Sequence, residues 1–280
     1  MDKRGWMMFK VFINRYNPKA GETLLKFLPE EDRRVALSQD ILSSDLAPLL
    51  YQPHKLFERM HYSWIQPLLE QFPERLHPLV TAALTAEQVS GLTASPPLVS
   101  VADPVRTFII NQLYTLLKAD EHLPLEYLPE AEFSPLAKWD KNKLILLIDL
   151  LGLHDLASEV RHIVNKNHLK NIYSCLSSKQ LYYLNVCLHQ KETIIAPKLG
   201  IDPSKKDCKT LKRIVHRRGL LRLGKALCGQ HPDLVWYIAH VLDIGRGKML
   251  LKTYQSDSSP KVTPFLKTQV INLMNFLKSE

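Results

Sequence analysis

Glycine is scarce in this chain, 10 residues in 280, and its four cysteines (Cys175, Cys187, Cys208, Cys228) include no C-x-x-C pair and no ligand spacing with histidine. The first deficit excludes collagen-like and glycine-rich chains. The second argues against structural zinc and against a disulfide framework, which points to a reducing cytosol. Long apolar runs are also lacking. The longest, Leu144 to Leu153, covers ten residues and contains Asp149, well short of the roughly 20 that cross a bilayer. The basic opening MDKRGWMMFKVFINRYNPK is interrupted by Lys10 and Arg15 and no small-residue cleavage site follows, so a secretory signal is not expected. The chain is expected to be cytoplasmic, with no transmembrane segment.

Catalytic signatures are missing as well. Ile244-Gly-Arg-Gly-Lys-Met249 ends like a phosphate loop, but Leu242 and Met249 stand where a Walker A motif needs glycine and Ser or Thr. The 11 histidines, His154, His162 and His168 among them, form no H-E-x-x-H. His54 and His61, seven apart, share a helix face of surface or interface type. No G-x-S-x-G is present. Without an acid, base or nucleophile constellation, no enzyme, metal or cofactor is implied.

What remains is helix-forming sequence. Apolar residues recur at three- and four-residue steps and alternation is rare, an all-α pattern. The clearest helix is 104–119, with Asp103 as N-cap, Pro104 at N1, and Val105, Phe108, Ile109, Leu113, Leu116 and Leu117 as its buried face. The last helix opens in the same way, with Thr263 and Pro264, and continues through Phe265, Leu266, Val270, Leu273, Met274 and Leu277. Linker-like stretches at 93–103 and about 192–207, the latter with Pro197, Gly200, Pro203 and Ser204, divide the chain into helical domains over 1–95, 96–195 and 196–280.

Internal similarity is the most informative feature. Leu84-Thr-Ala-Glu-Gln-Val-Ser-Gly-Leu92 matches Leu176-Ser-Ser-Lys-Gln-Leu-Tyr-Tyr-Leu184: a leucine, a capping hydroxyl, then an apolar pair on one side. The segments at Leu28–Val35 and Leu242–Met249 are looser versions. Further back, Leu144, Ile148, Gly152, Leu153, Leu156 and Val160 align with Leu211, Val215, Gly219, Leu220, Leu223 and Leu227 at an offset of 67. Such units bury their apolar faces only by stacking, which predicts an armadillo-like array of short helical repeats in two or three subdomains.

Charge is asymmetric. Residues 1–130 hold 13 Lys and Arg against 16 Asp and Glu, whereas 131–280 hold 24 against 12. Lys205, Lys206, Lys209, Lys212, Arg213, Arg217, Arg218, Arg222 and Lys225 face only Asp207 between 205 and 225. Helical spacing gathers Lys209, Lys212, Arg213 and Arg217 into one positive stripe. Lys209, Lys212, Arg213, Arg217, Arg218, Arg222 and Lys225 are therefore the candidate partner-binding residues, for an acidic protein or a phosphate backbone. The stripe has no stacking aromatics and no groove-reading motif, which favours protein over nucleic acid. Trp64, Trp139, Trp236, Tyr182, Tyr183 and Tyr237 fall on or beside the repeat helices, and Tyr182 and Tyr183 cannot both point inward.

The stretch from Leu211 to Leu250 resembles the helical units of the flagellar motor-switch protein FliG. Lys225-Ala-Leu-Cys-Gly229, Pro232-Asp-Leu234 and Leu242 to Arg246 stand for that family's Lys-Ala-Leu-x-Gly-like helix end, acidic helix and Leu-x-x-x-Arg element. Leu24-Leu-Lys-Phe-Leu-Pro-Glu-Glu31 is similar to another such unit. The resemblance touches about half of the chain and includes no match to the family's charged torque helix. Over its whole length the chain is also similar to FliG-like components of type III secretion loci, the chlamydial one among them. The resemblance implies a non-catalytic scaffold or adaptor with secretion-apparatus ring or sorting-platform proteins as partners, peripheral at the inner face of the inner membrane. A basic helical nucleic-acid-binding protein is the alternative.

Overall fold

Every regular element that the computed structural model describes is a helix, as the three- and four-residue periodicity predicts. It describes residues 3–16, 21–38, 57–93, 100–119, 122–123, 125, 128–190, 197–200, 204, 206–255 and 262–278. Most of both linker stretches, together with Pro203 and Lys205, and His54 lie outside these residues. The helices are α1 (Lys3–Tyr16), α2 (Gly21–Leu24), α3 (Glu30–Leu37), α4 (Tyr62–Leu69), α5 (His77–Ala82), α6 (Ala86–Leu92), α7 (Asp103–Leu116), α8 (Lys141–Val160), α9 (Lys166–Tyr173), α10 (Ser178–His189), α11 (Cys208–Ala226), α12 (Pro232–Val241), α13 (Ile244–Tyr254) and α14 (Thr263–Phe276). None is long and apolar enough to cross a membrane.

Local chemistry sets many of the helix starts. Thr85 and Ser177 each form a capping box, with Gln88 and Gln180 reaching back to the capping residue's own N–H at 3.0 Å. These are the two segments whose sequences match. Two other starts are corrected by one residue: α7 opens with Ala102 at the N-cap and Asp103 inside the helix, and α14 with Val262 before Thr263, neither with a side-chain cap. The buried face of α7 is corrected too. Ile109, Ile110, Leu113 and Tyr114 point inward, while Val105, Phe108 and Leu116 are exposed, Phe108 at 62%. Arg106 donates from Nε to the Ala83 carbonyl at 3.0 Å, a bond that apolar spacing does not signal and that holds the helix in this roll.

The chain divides into two units, each discontinuous in sequence: Met1–Ala131 with His231–Ile244, and Glu132–Gln230 with Gly245–Glu280. In the first, α4 packs on α6 and α7, and Trp6 and Ile13 of α1, Leu25 just after α2 and Ala36 of α3 form a cluster with Phe9 and Leu28. In the second, α8 is the central helix, covered by α10, α11 and α14. Leu144, Leu147, Ile148, Leu150, Leu151, Leu153 and Leu156 are buried around most of its circumference, the pattern of a core helix.

The 67-residue offset reappears as geometry. Lys141 and Cys208 begin α8 and α11, 67 residues apart, while Lys166 and Pro232 begin α9 and α12 and Ser178 and Ile244 begin α10 and α13, each pair one residue closer, so one three-helix order occurs twice. Asn165 and His231, at matching positions, both accept the N–H two residues on. The first helices of the two triples also pack on each other through equivalent residues. A Cβ on Gly152 would overlap the Val215 carbonyl, and one on Gly219 the carbonyl of Ile148, which is Val215's counterpart. Asp149 meets His216, and Asp155 meets Arg222, each pair 67 residues apart. The reciprocal equivalence of these contacts is the signature of a pseudo-two-fold interface between the two helices.

Glycine is required at this crossing because backbone touches backbone. Gly219→Ala is expected to cost about 1–3 kcal/mol, the range for overpacking a closed core. Urea denaturation checks it, and an unchanged midpoint would refute the close approach.

Candidate interaction surface

Helix α11 carries the cationic stripe on one side and the core on the other. Asp207 caps it, accepting the Thr210 N–H at 3.0 Å, and this backbone bond holds the carboxyl below its ordinary range. Leu211, Val215, Gly219, Leu220, Leu223 and Ala226 turn inward. Lys209, Lys212, Arg213, Arg217 and Lys225 are exposed, as is Lys206 just before the helix. Cations in a first helical turn oppose the helix dipole, so Lys209 does not stabilise α11 itself.

Two predicted stripe residues have other partners. Arg218 is half-buried and donates from Nη2 to the Pro197 and Lys198 carbonyls, 2.9 and 3.0 Å away. Arg222 is only 5% exposed. Its Nε donates to Asp155 Oδ1 at 3.1 Å, its Nη2 bonds the same oxygen, and its Nη1 donates to Gln269 Oε1 at 2.6 Å. Gln269 passes the chain of bonds to His154 Nδ1 at 3.2 Å, and His154 Nε2 reaches the Tyr183 hydroxyl at 3.1 Å. The amide N–H makes Nδ1 an acceptor, which leaves Nε2 to donate to the Tyr183 hydroxyl. Arg222 therefore joins α8, α11 and α14 in the core and offers no charge to a partner. A second interhelix chain runs from Asp149 through His216 to Arg246, with steps of 2.6 and 2.7 Å.

The structure adds a neighbour that sequence reasoning missed. The expectation of a chain without a disulfide is corrected: Cys175, in the turn after α9, is bonded to Cys208, the first residue of α11, with Cα atoms 4.9 Å apart. The two lie 33 residues apart, so no local spacing signals the bond. Beside it, Asn171 Nδ2 donates to the Ser204 carbonyl at 3.3 Å. Helix α9 carries exposed Lys166 and Lys170. Cys187 and Cys228 are buried thiols, and burial pushes the Cys228 thiol up.

The aromatic residues are mostly not free surface. Trp64, Trp139 and Tyr183 are buried, Trp236 and Tyr237 half-buried, and Tyr182 is 62% exposed, stacked on Phe276. Tyr182 and Tyr183 thus do point apart. In the first unit, Trp64, His240, Trp236 and His122 form a column with centroid spacings of 4.1, 4.0 and 4.3 Å. Asp233 anchors it, bonding His122 Nδ1 at 2.8 Å and the Leu123 N–H at 3.1 Å. Burial lowers the His240 pKa to about 4; the Trp236 carbonyl, accepting from Nδ1, opposes the shift, and His122 adds to it. No family model matches the chain, and neither a curated protein nor a solved structure matches it.

Two outcomes follow from these buried groups. Asp155→Ala strands the Arg222 charge and is expected to cost about 3–5 kcal/mol, whereas the paired change Asp155→Leu with Arg222→Met costs far less; chemical denaturation of the three proteins distinguishes them. An unfolded histidine titrates near 6.5, so between pH 6.5 and 4 the unfolded chain binds a proton that folded His240 refuses. Its stabilisation is complete above pH 6.5 and is lost as pH falls through that window. Thermal unfolding of His240→Phe should accordingly depend less on pH from 7 to 4 than that of the parent.

Proposed function

We propose that the protein is a non-catalytic scaffold or adaptor of a type III secretion or flagellar-type export assembly, FliG-like in build. It works in the cytoplasm, held at the inner face of the inner membrane through protein contacts. The observation that carries the reading is the division of labour on α11: one face is fixed into the core by Gly219 and Arg222, and the other presents Lys209, Lys212, Arg213, Arg217 and Lys225 to solvent. A rigid helix with its cations outward pre-organises a docking surface, so little ordering entropy is lost when a partner binds. The duplicated three-helix order supports the same reading, because stacked helical units serve as binding surfaces. The charge steers an acidic partner into register and raises its association rate.

Affinity capture from the native cell with nuclease treatment, followed by mass spectrometry, tests the assignment. Secretion-ring or sorting-platform proteins should remain bound. Material that vanishes with nuclease would instead make the stripe a nucleic-acid surface and end the scaffold reading. The double change Arg213→Glu, Arg217→Glu should weaken capture about tenfold or more, since exposed charges contribute modestly one by one and add as a cluster, while circular dichroism stays unchanged. Equal capture by this variant would remove the stripe from the mechanism.

A further inference from the structure

The disulfide lies where the cationic surface begins. Cys208 is the first residue of α11, directly before Lys209, and Cys175 ends the turn that follows α9 with its Lys166 and Lys170. Together with the Asn171–Ser204 hydrogen bond it holds the adjoining ends of two cation-bearing helices. Among the described residues, the Asp207 cap and the inward-facing Leu211 also restrain the first turn of α11. Farther along, Gly219 and Arg222 fix the helix whether or not the sulfurs are bonded. Breaking the bond therefore loosens the end bearing Lys206, Lys209 and Lys212 and leaves the rest of α11 in place.

We propose that the Cys175–Cys208 disulfide is a redox latch that unites the cations of α9 with the α11 stripe, so that an acidic protein segment binds this surface more tightly in the oxidised state. The proposal rests on the reading of the stripe as a docking surface. The occupant is an Asp- and Glu-rich peptide, because α11 offers cations and no aromatic ring on which a base could stack. The chemistry is thiol–disulfide exchange with a dithiol reductant: the Cys175–Cys208 bond breaks, both sulfurs leave as thiols carrying the reductant's two protons, and the reductant becomes its own disulfide. The reverse step needs a disulfide oxidant of the same class. Buried Cys187 and Cys228 are shielded from this exchange. In reducing compartments, disulfides of mesophilic proteins are characteristically transient and redox-sensing.

The test uses the full chain, a fluorescent polyglutamate peptide at low ionic strength, and dithiothreitol as reductant. Reduction should weaken binding about fivefold, the loss expected when two surface cations leave a solvent-screened patch. Cys175→Ser should bind at the reduced level with or without dithiothreitol. Equal affinities in the two redox states would overturn the latch while leaving the stripe intact. Loss of polyglutamate binding in both states would overturn the acidic-docking reading and, with it, this coupling. Hydrogen exchange provides a readout independent of any ligand: amides of residues 209–213 should exchange faster on reduction and those of 219–223 should not. Uniform exchange along α11, or four titratable thiols in the unreduced protein, would also overturn the proposal.

Discussion

The close crossing of α8 and α11 is the constraint on which the second unit depends. Two glycines let the backbones touch, and at that distance each side chain next to the crossing must be small, apolar or fully paired. Asp155 and Arg222 meet the last condition by pairing with each other, and Gln269 accepts from Arg222 Nη1 and in turn bonds His154. A buried pair of this kind adds little net stability over well-packed apolar residues, but it penalises any shift in register heavily. It therefore fixes how α8, α11 and α14 align, and that alignment decides which residues of α11 face solvent.

Much of this was legible in the sequence because it follows from periodicity. The all-α class, the matched capping segments at Thr85 and Ser177, and the pairing of Gly152 with Gly219 in the offset alignment all rest on local spacing that the fold preserves. The divergence of Tyr182 from Tyr183 followed from the 100° step between neighbours on a helix. What spacing could not supply was rotation and tertiary pairing. The face expected on α7 was rotated from the one that packs, and the Arg106 bond to Ala83 holds the helix in its observed roll.

Arg222 and the cysteines failed to be legible for a related reason. Within α11, Arg222 continues a cationic run, and its sequence neighbours give no sign of an acid 67 residues away. The offset alignment did hold the signal: it places Asp155 opposite Arg222 and Asp149 opposite His216, a complementarity visible when aligned positions are compared for charge as well as for apolar character. The Cys175–Cys208 bond left no such trace, since it joins a turn to a helix start that the repeat does not relate.

The same complementarity has a consequence for self-recognition. Interfaces made from one face used twice ordinarily allow like to pair with like, so an α8 from one molecule could meet an α8 from another. Here the two copies have diverged in sign, with Asp149 and Asp155 on one and His216 and Arg222 on the other. An α8–α8 pairing would bury aspartate against aspartate, and an α11–α11 pairing arginine against arginine, each an uncompensated charge in a low-dielectric core. The duplicated face is thereby a lock that accepts only its counterpart, and the protein keeps the packing advantages of an internal repeat without the adhesiveness that identical surfaces bring.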